Sequence, residues 1–302
     1  MKNFLKKTLC ILLCGTMLSG CSKKNTPDEI SVESGESAVS SPFPAKSCGV
    51  TLQKAPEKIV SLSPAVTEII CELGFKDKLV GISDYCDYPQ GLTAKKVGST
   101  ENPNIDEIID LKPDAVFTLS ALSEREAYTL NQADIAVLAA EPPKNMEGYS
   151  ALYKEIAAAF YGKEKISGEK ETEKAVETGA NARLAIEKAA ESVKLESFVY
   201  VTEKLTIAGD NTFENAVLSL SGENVCKDRG YVSADKAASA PKYIIADDSL
   251  SQTDLSASDT LNGFIQSGAE IRFVNASAFE RPTARTLNVF KELAEENSSA
   301  SV

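Results

Sequence analysis

Two tyrosines stand close together in a short polar stretch that directly follows an apolar run. The stretch is VGISDYCDYP, residues 80–89, and it contains Tyr85 and Tyr88. The 302-residue chain has neither tryptophan nor histidine, so these two side chains form a notable concentration of aromatic, hydrogen-bonding surface. Such side chains suit either the protein's own core or the binding of another molecule. The stretch by itself leaves both uses open.

The sequence lacks the motifs of several enzyme classes. Without a GxSxG motif or a histidine base, a Ser-His-Asp site cannot be assembled. No Gly-rich phosphate loop is present, which excludes an ATPase subunit. Composition leaves a paired-carboxylate glycosidase open, although no motif indicates one. We therefore predict that the chain is not an enzyme.

The cysteines do not follow a metal-binding pattern. Cys48, Cys71, Cys86 and Cys226 contain no CxxC pair and have no histidine nearby, so we predict no zinc site and no other metal site. Cys71 lies in an apolar segment and is interpreted as a small buried hydrophobic residue. One disulfide among the other three cysteines remains open.

The N-terminus predicts export. Three lysines precede an apolar run, Leu9 to Leu18, which is too short to span a bilayer and suits a signal peptide over residues 1–20. The segment Leu18 to Cys21 resembles the bacterial lipoprotein cleavage box, with Cys21 as the lipidated first residue. The alternative is an ordinary secretory signal with a chance cysteine. More than one acyl chain would be enough for stable anchoring at the outer face of a membrane.

Residues 21–49 are interpreted as the lipidated cysteine and a flexible tether. They hold few large apolar residues, so they cannot bury enough surface to fold, and a chain of this length reaches about 30 Å. Loss of residues 1–20 removes three lysines and takes the formal net charge from −12 to −15. So acidic a surface argues against nucleic acid and against an anionic-lipid-binding face. We expect the membrane to be a partner only through the lipid anchor.

The rest of the chain alternates strand and helix signals, which predicts an α/β fold. Ser63-Pro64 forms a good N-cap and first-turn pair for a helix, and Gly74 closes that helix. The predicted strands and helices of the first half are 58–62, 64–73, 79–83, 104–111, 115–119, 124–132, 135–139 and 146–161. Together these elements predict an N-terminal α/β lobe over residues 50–162.

A long helical segment separates this lobe from a second one. Residues 163–194 are rich in Glu, Lys and Ala and contain no proline, which favours a largely exposed helix. This helix is either a rigid connector between lobes or a surface helix of one domain. The rhythm restarts with elements at 198–202, 213–220, 243–246, 261–267, 271–274 and 283–296. We predict two α/β lobes joined by one long helix, with the C-terminal lobe at 195–297 and a disordered tail at 298–302.

Several segments resemble the substrate-binding lipoproteins of ABC importers for vitamin B12, haem and ferric siderophores. KIVSLSPAVTEIICELGFKDKLVGISDYCDYP (58–89) is similar to the family's opening strand–helix–strand unit, and NPNIDEIIDLKPDAVF (102–117) to its next helix and strand. GENV (222–225) and FERPTAR (279–285) are similar to its second-lobe motifs. The resemblance implies a class III periplasmic binding protein, with two Rossmann-like lobes and a ligand held in the cleft between them.

The resemblance also implies which residues contact the ligand. Tyr85 falls where corrinoid-binding members place a ring-stacking tyrosine, and Tyr88 is interpreted as part of the turn that holds it. Ala65 matches a position where a small residue lets the ligand approach. Arg281 matches an arginine that contacts the corrinoid, or else forms a surface salt bridge with Glu280. The implied ligand-binding set is Ala65, Tyr85, Tyr88, Thr100, Phe279 and Arg281.

The nature of the ligand is less sharply implied. B12-binding members carry tryptophans where this chain has Thr100 and Leu119, and an aspartate where it has Ser277. An anionic ferric siderophore would require an arginine cluster, and haem would require a tyrosine or methionine ligand. A corrinoid needs no protein ligand to cobalt, so we predict a corrinoid as the ligand, with a ferric siderophore or haem as alternatives and no resident cofactor.

The family also docks on its permease through one acidic residue in each lobe. Asp106 falls on the first of these positions. The second falls on Asn211, so Asp210 or Glu214 is expected to replace it. Any one of these acids could also be ordinary solvated surface. The implied partners are a permease with its ATPase subunits and a small metal-chelate ligand, and the chain is expected to be a monomer. Rival functions of other classes are a lipid-anchored secreted hydrolase and an adhesin with the same fold.

Overall fold

The computed structural model describes residues 41–162 and 170–299. The predicted signal peptide, the lipidated Cys21, the tether up to residue 40, residues 163–169 of the predicted connecting helix and the last three residues lie outside these ranges. Within them no helix is both long enough and apolar enough to cross a membrane.

The N-terminal lobe is built on a five-stranded parallel sheet of order β5-β4-β3-β6-β7. A small antiparallel hairpin, β1 and β2, precedes it. The elements of this part are β1 (Ala45–Ser47), β2 (Val50–Leu52), β3 (Ile59–Ser61), α1 (Pro64–Glu72), β4 (Leu79–Ile82), β5 (Lys95–Lys96), α2 (Ile105–Leu111), β6 (Ala115–Thr118), α3 (Glu124–Gln132), β7 (Ala136–Ala139) and α4 (Met146–Tyr161). The sequence predicted the larger elements to within about a residue, whereas the hairpin and the short β5 were missed.

The long connecting helix is α5 (Lys170–Ala190). It packs along α4 at a very close approach: a Cβ built on Gly179 would lie 2.5 Å from the Cβ of Tyr153. A glycine in the middle of a helix costs stability relative to alanine, so its position here is explained by the space that Tyr153 takes. Described residues near the end of α5, Ile186 and Ala190, are buried in the core.

The C-terminal lobe is built on a six-stranded mixed sheet. The order along the sheet is β11-β9-β8-β12-β13, and β10 pairs with the first half of β8. The elements are β8 (Glu196–Val201), β9 (Thr206–Ala208), α6 (Phe213–Leu218), β10 (Gly222–Asn224), β11 (Tyr231–Ser233), β12 (Tyr243–Asp247), α7 (Gln252–Ser256), α8 (Asp259–Gln266), β13 (Glu270–Val274), α9 (Ala276–Phe279) and α10 (Thr286–Ser299). This architecture confirms the predicted fold class of two α/β lobes and one long helix.

One hydrophobic core runs through both lobes. It contains Ile69 and Phe117 of the N-terminal lobe, Tyr149 of α4, and Phe198 and Phe290 of the C-terminal lobe. The ring of Tyr149 lies parallel to that of Phe213 on α6, with 6.1 Å between the centroids. The lobes are therefore joined by apolar packing as well as by α5.

The four cysteines within the described residues, Cys48, Cys71, Cys86 and Cys226, are free thiols. Burial raises the pKa of Cys48 and of Cys71 to about 11, so both thiols stay protonated at neutral pH. Cys71 is only partly buried, but it packs against the core as expected. In residues 41–162 and 170–299, no group of three His, Cys, Asp or Glu side chains could hold a metal ion.

Candidate ligand-binding cleft

A cleft of about 750 Å³ opens between the two lobes. Its N-terminal wall comes from segments that follow the carboxyl ends of all five strands of the N-terminal sheet. The chain runs from β3 to β4 on one side and returns to β6 on the other, and open α/β sheets bind ligands at such a switch point. The lining residues are Leu62, Ser63, Pro64, Ser83, Tyr85, Ser99, Thr100, Glu101, Asn102, Leu119, Ser120 and Pro142 from one lobe, and Glu203, Lys204 and Glu280 from the other.

Tyr85 stands at this cleft with 68% of its surface exposed. It belongs to the Tyr85 loop, residues 83–89, which directly follows β4. The Lys96 ammonium group reaches the carbonyls of Ser83 and Cys86 and holds this loop on the side of the N-terminal lobe. Tyr85 is thus not a core residue, which answers the question that its sequence left open.

Tyr88 lies at the other end of the same loop and does not line the cleft. It is 41% exposed, and the guanidinium carbon of Arg285 lies 4.6 Å from the centroid of its ring. That distance is within the range of a cation–π interaction. The structure therefore places Tyr88 in a contact between the lobes, as a support for the loop.

Of the predicted ligand-binding residues Thr100 and Ala65, only Thr100 lines the cleft. Its hydroxyl donates to the carbonyl of Leu62 at 3.1 Å. Ala65 is 3% exposed inside α1, behind Ser63 and Pro64, which do line the cleft. Ser63 occupies the N-cap position of α1 without a side-chain capping bond. The predicted N-cap and first-turn positions of Ser63 and Pro64 are confirmed, but the Ser63 side chain does not make the capping bond.

Phe279 does not reach the cleft. Its side chain is 0% exposed and packs edge-on against Tyr200, with 5.0 Å between the ring centroids. The predicted ligand contact of Phe279 is corrected accordingly: the residue is part of the hydrophobic core. The motif that drew attention to it contributes to the cleft through the next residue, Glu280.

Arg281 is engaged in contacts between the lobes and not in the cleft lining. Its Nη1 donates to Glu68 of α1 at 2.9 Å and to Asp87, and its Nη2 donates to the carbonyl of Tyr85 at 3.2 Å. The alternative partner considered from the sequence, Glu280, instead accepts a hydrogen bond from the Tyr200 hydroxyl at 2.8 Å.

The C-terminal wall of the cleft is rich in carboxylates. Glu203 and Glu280 line it together with Lys204. Desolvation in the cleft raises the pKa of Glu280, against the hydrogen bond from Tyr200, which lowers it. Among the described residues that line the cleft there is no arginine. This wall offers mainly hydrogen-bond acceptors and negative charge.

The three predicted docking acids fall into two groups. Asp106, in the first turn of α2, and Asp210, before α6, are exposed. Glu214 is 3% exposed and accepts a hydrogen bond from the Tyr231 hydroxyl at 2.8 Å. Burial raises its pKa to about 7. Because a docking charge must project from the lobe, Glu214 does not suit that role, and Asp210 remains.

The family model described as periplasmic binding protein matches residues 59–267, which covers most of the chain. The chain belongs to this family. Both lobes and α5 lie within or next to the matched region, and this explains why the fold agrees with the arrangement that the sequence motifs implied.

Individual relatives place the chain more closely within the periplasmic binding protein family. It is 33% identical over 150 residues to an uncharacterized ABC transporter substrate-binding lipoprotein, YvrC, of Bacillus subtilis. That alignment covers 48% of this chain and 47% of the relative. It is 40% identical over 103 residues to the vitamin B12-binding protein of Vibrio cholerae, over 33% of each chain. The chain therefore spans half or less of the length of these relatives.

Solved structures extend the likeness over a greater length. The periplasmic vitamin B12 binding protein BtuF of Vibrio cholerae has a TM-score of 0.60 and 22% identity, and the match covers 82% of this chain and 98% of that one. The periplasmic haem-binding protein HutB of the same organism has a TM-score of 0.66 and 17% identity, and the match covers 80% of this chain and 98% of that one. At such identities the likeness shows the shared fold. These relatives carry the names of binding proteins, not of enzymes.

Sequence reasoning missed the polar residues on the C-terminal wall. Glu203 and Lys204 follow the end of β8, at the edge of the sheet where the rule for open α/β sheets places ligands. That rule, applied to the second lobe as it was to the first, would have found them. The same rule indicates Leu119 and Ser120, which follow β6.

Proposed function

We propose that this protein is the substrate-binding component of an ABC importer, and that it captures a corrinoid in the cleft between its lobes. The family membership supports the role in transport. The relatives named as a substrate-binding lipoprotein and as a vitamin B12-binding protein support the class of ligand. The protein then acts without catalysis and without a cofactor of its own: it carries the ligand to a permease.

The observation that carries this proposal is the exposed Tyr85 ring at a cleft of about 750 Å³. A flat, rigid macrocycle offers a face on which an aromatic ring can stack. The volume of the cleft lies within the range of small-molecule sites in proteins. A corrinoid also carries peripheral amides, whose N–H groups can donate to Glu203 and Glu280 on the opposite wall. It requires no axial ligand from the protein, so the absence of histidine is no obstacle.

The charges of the cleft favour a corrinoid over the two alternatives. Anionic ferric siderophores and the propionates of haem would meet the carboxylates of Glu203 and Glu280. Arg281 and Arg285, the arginines nearest in sequence to that wall, already pair with Glu68. Like charges held close together in the cleft repel each other. We therefore infer a neutral or cationic ligand.

We also propose that the protein is anchored outside the cell by lipid on Cys21. The support is the segment Leu18 to Cys21, together with one relative that is named a substrate-binding lipoprotein. The residues between Cys21 and the first described strand would then act as the tether. In this arrangement the two lobes, 50–162 and 195–297, work as a monomer close to the permease and its ATPase subunits.

A titration with coloured ligands tests the proposal. The purified mature protein is mixed with cobinamide, cyanocobalamin, haem and an anionic ferric siderophore, and binding is followed by visible absorbance and by thermal shift. We expect the corrinoids to bind and to raise the melting temperature, because a ligand at 100 times its dissociation constant stabilises the folded state by about 2.7 kcal/mol.

The other outcomes are equally informative. Binding of haem or the siderophore without binding of either corrinoid would overturn the corrinoid assignment and leave the transport role. Binding of none of the four would favour the adhesin, in which the cleft has no ligand.

A further inference from the structure

Glu68 is a carboxylate whose side chain is fully buried between the lobes. It lies on α1 in the N-terminal lobe, and its described partners all come from the segment between α9 and α10. Arg281 and Arg285 each donate from Nη1 to Oε1 at 2.9 Å, and the Thr283 hydroxyl donates to Oε2 at 2.9 Å. A buried carboxylate is tolerated only when it is paired and hydrogen-bonded in this way.

Arg281 extends this cluster to the Tyr85 loop. The same guanidinium that is held by Glu68 also pairs with Asp87 and donates to the carbonyl of Tyr85 at 3.2 Å. The planar guanidinium offers several donors in a fixed geometry, which allows one residue to hold three groups at once. Burial alone would raise the pKa of Asp87, but the hydrogen bond and charge of Arg281 outweigh it and lower that pKa.

We propose that Arg281 is a positioning residue for ligand capture: Glu68 fixes its guanidinium, and Arg281 in turn fixes the backbone of the Tyr85 loop. The inference rests on the proposed function, and it replaces a direct contact between Arg281 and the ligand. An exposed aromatic side chain on a mobile loop loses conformational freedom when it binds, and a loop that is already held loses less. Lys96 donates to the carbonyls of Ser83, Asp84 and Cys86 on either side of Tyr85. Arg281 donates to the carbonyl of Tyr85 itself.

A tryptophan at position 85 tests the positioning without any ligand. Because the chain has no tryptophan, Tyr85→Trp creates a single fluorescent reporter in the loop. Tyr128→Trp on α3 is the matched control, since Tyr128 is 65% exposed and Tyr85 68%. Each reporter is combined with Arg281→Gln, in which Glu68 keeps Arg285 and Thr283 as partners.

We expect Arg281→Gln to lower the fluorescence anisotropy of the reporter at position 85 and to leave that at position 128 unchanged. A loss at both positions would indicate a general loosening of the fold and would overturn the proposal. Unchanged anisotropy at both positions would also overturn the proposal, because Lys96 alone would then hold the loop. Asp87→Asn provides a second variant if Arg281→Gln does not fold: its side chain is 53% exposed, and it should give a smaller loss at position 85 alone.

A double-mutant cycle with cobinamide separates positioning from direct contact. Tyr85→Ala and Arg281→Gln should each weaken binding, and the double variant should bind as Tyr85→Ala does, within about twofold, because Arg281 acts through Tyr85. Losses that multiply in the double variant would show that Arg281 contacts the ligand itself, and would overturn the proposal. If the wild-type protein binds no corrinoid, the corrinoid assignment fails, whereas the anisotropy of the reporters still decides the role of Arg281.

Discussion

Tyr85 and Phe279 show how differently two aromatic residues can serve one cleft. Both were assigned to the ligand from the resemblance, yet one is 68% exposed and the other is fully buried. Their removal should therefore have opposite effects: truncation of a buried phenylalanine creates a cavity, whereas truncation of an exposed tyrosine removes mainly what it touches in a complex.

Tyr85→Ala should reduce the affinity for cobinamide by about 1–3 kcal/mol, as the loss of an aromatic anchor does. The free energy of unfolding should change by less than about 0.5 kcal/mol, because the side chain is exposed. Visible titration and urea denaturation measure the two quantities. Tyr128→Ala is the control and should change neither. A Tyr85→Ala protein that loses stability but keeps its affinity would contradict the stacking role of Tyr85.

Glu214 makes stability depend on pH in an unusual direction. Burial raises its pKa to about 7, so the folded state holds the proton more tightly than the unfolded state. Its contribution is fully present below the unfolded pKa, near 4.5, and is lost as the pH rises through about 7. Replacement by glutamine removes this dependence.

We expect the stability of Glu214→Gln relative to the wild type to increase by on the order of 2–3 kcal/mol between pH 4.5 and pH 8. Urea denaturation at a series of pH values measures it. Glu141→Gln, at an exposed position, should run parallel to the wild type. Parallel profiles for Glu214→Gln as well would mean that this carboxyl titrates in its ordinary range.

Among the elements, α5 carries a glycine that helix propensity does not explain. In Gly179→Ala the new methyl would lie 2.5 Å from Tyr153, so α4 and α5 must move apart. We expect a loss of about 1–3 kcal/mol, as for other overpacked sites, despite the gain in propensity. Gly263→Ala in α8 is the matched control: nothing lies within 4 Å of its Cβ, and it should stabilise by about 0.5–1 kcal/mol. Thermal denaturation measures the stability of both variants. An equal gain in stability for both would contradict the close approach of α4 and α5.

The helix α2 carries Asp106, the proposed docking acid, and local helix stability offers a second explanation for this acid. The Asn104 side chain caps the helix by accepting from the amide of Glu107 at 3.3 Å, and Asp106 in the first turn also favours the helix dipole. Asp106→Asn keeps the shape and removes the charge, at a cost of about 0.3–1 kcal/mol in stability. We expect unchanged ligand affinity and weaker association with the permease, most clearly at low salt.

The control for this variant lies on the same helix. Asp110→Asn removes an exposed charge from the last turn and should leave association with the permease unchanged. Asp210→Asn should weaken it in the other lobe, since Glu214 is buried. Normal transport by both the Asp106 and the Asp210 variants would show that these acids are ordinary surface.

How far the sequence could lead depended on the range of the interactions. Helices such as α3 and α4 carry their own boundaries in capping residues and in the period of their apolar side chains, and they were predicted with the correct ends. The hairpin β1–β2 and the short β5 are only two or three residues long, so no periodicity could reveal them. In the cleft, the position of Tyr85 after a strand was readable, whereas the pairing of Glu68 with Arg281 joins residues that no local pattern connects.

At the scale of the whole molecule, the proposed lipid anchor on Cys21 would determine where the cleft works. Cys21→Ala should abolish lipidation, so that the protein is released or stays unprocessed. Fractionation of cells and medium, with detection of the acyl group, measures this. Cys14→Ala lies inside the apolar run and should keep normal processing and membrane retention. A processed Cys21→Ala protein that remained on the membrane would contradict the lipid anchor.

The buried Glu68 also couples the unfolding of the two lobes. Its partners lie more than 200 residues further along the chain, and the stacked rings of Tyr149 and Phe213 also join the lobes. If one lobe opened, the other would lose the guanidinium groups that neutralise its carboxylate, together with a share of the common core. Partial unfolding is therefore costly from either side. The lobes should unfold in a single cooperative thermal transition. Limited proteolysis should not yield one intact lobe released from the other.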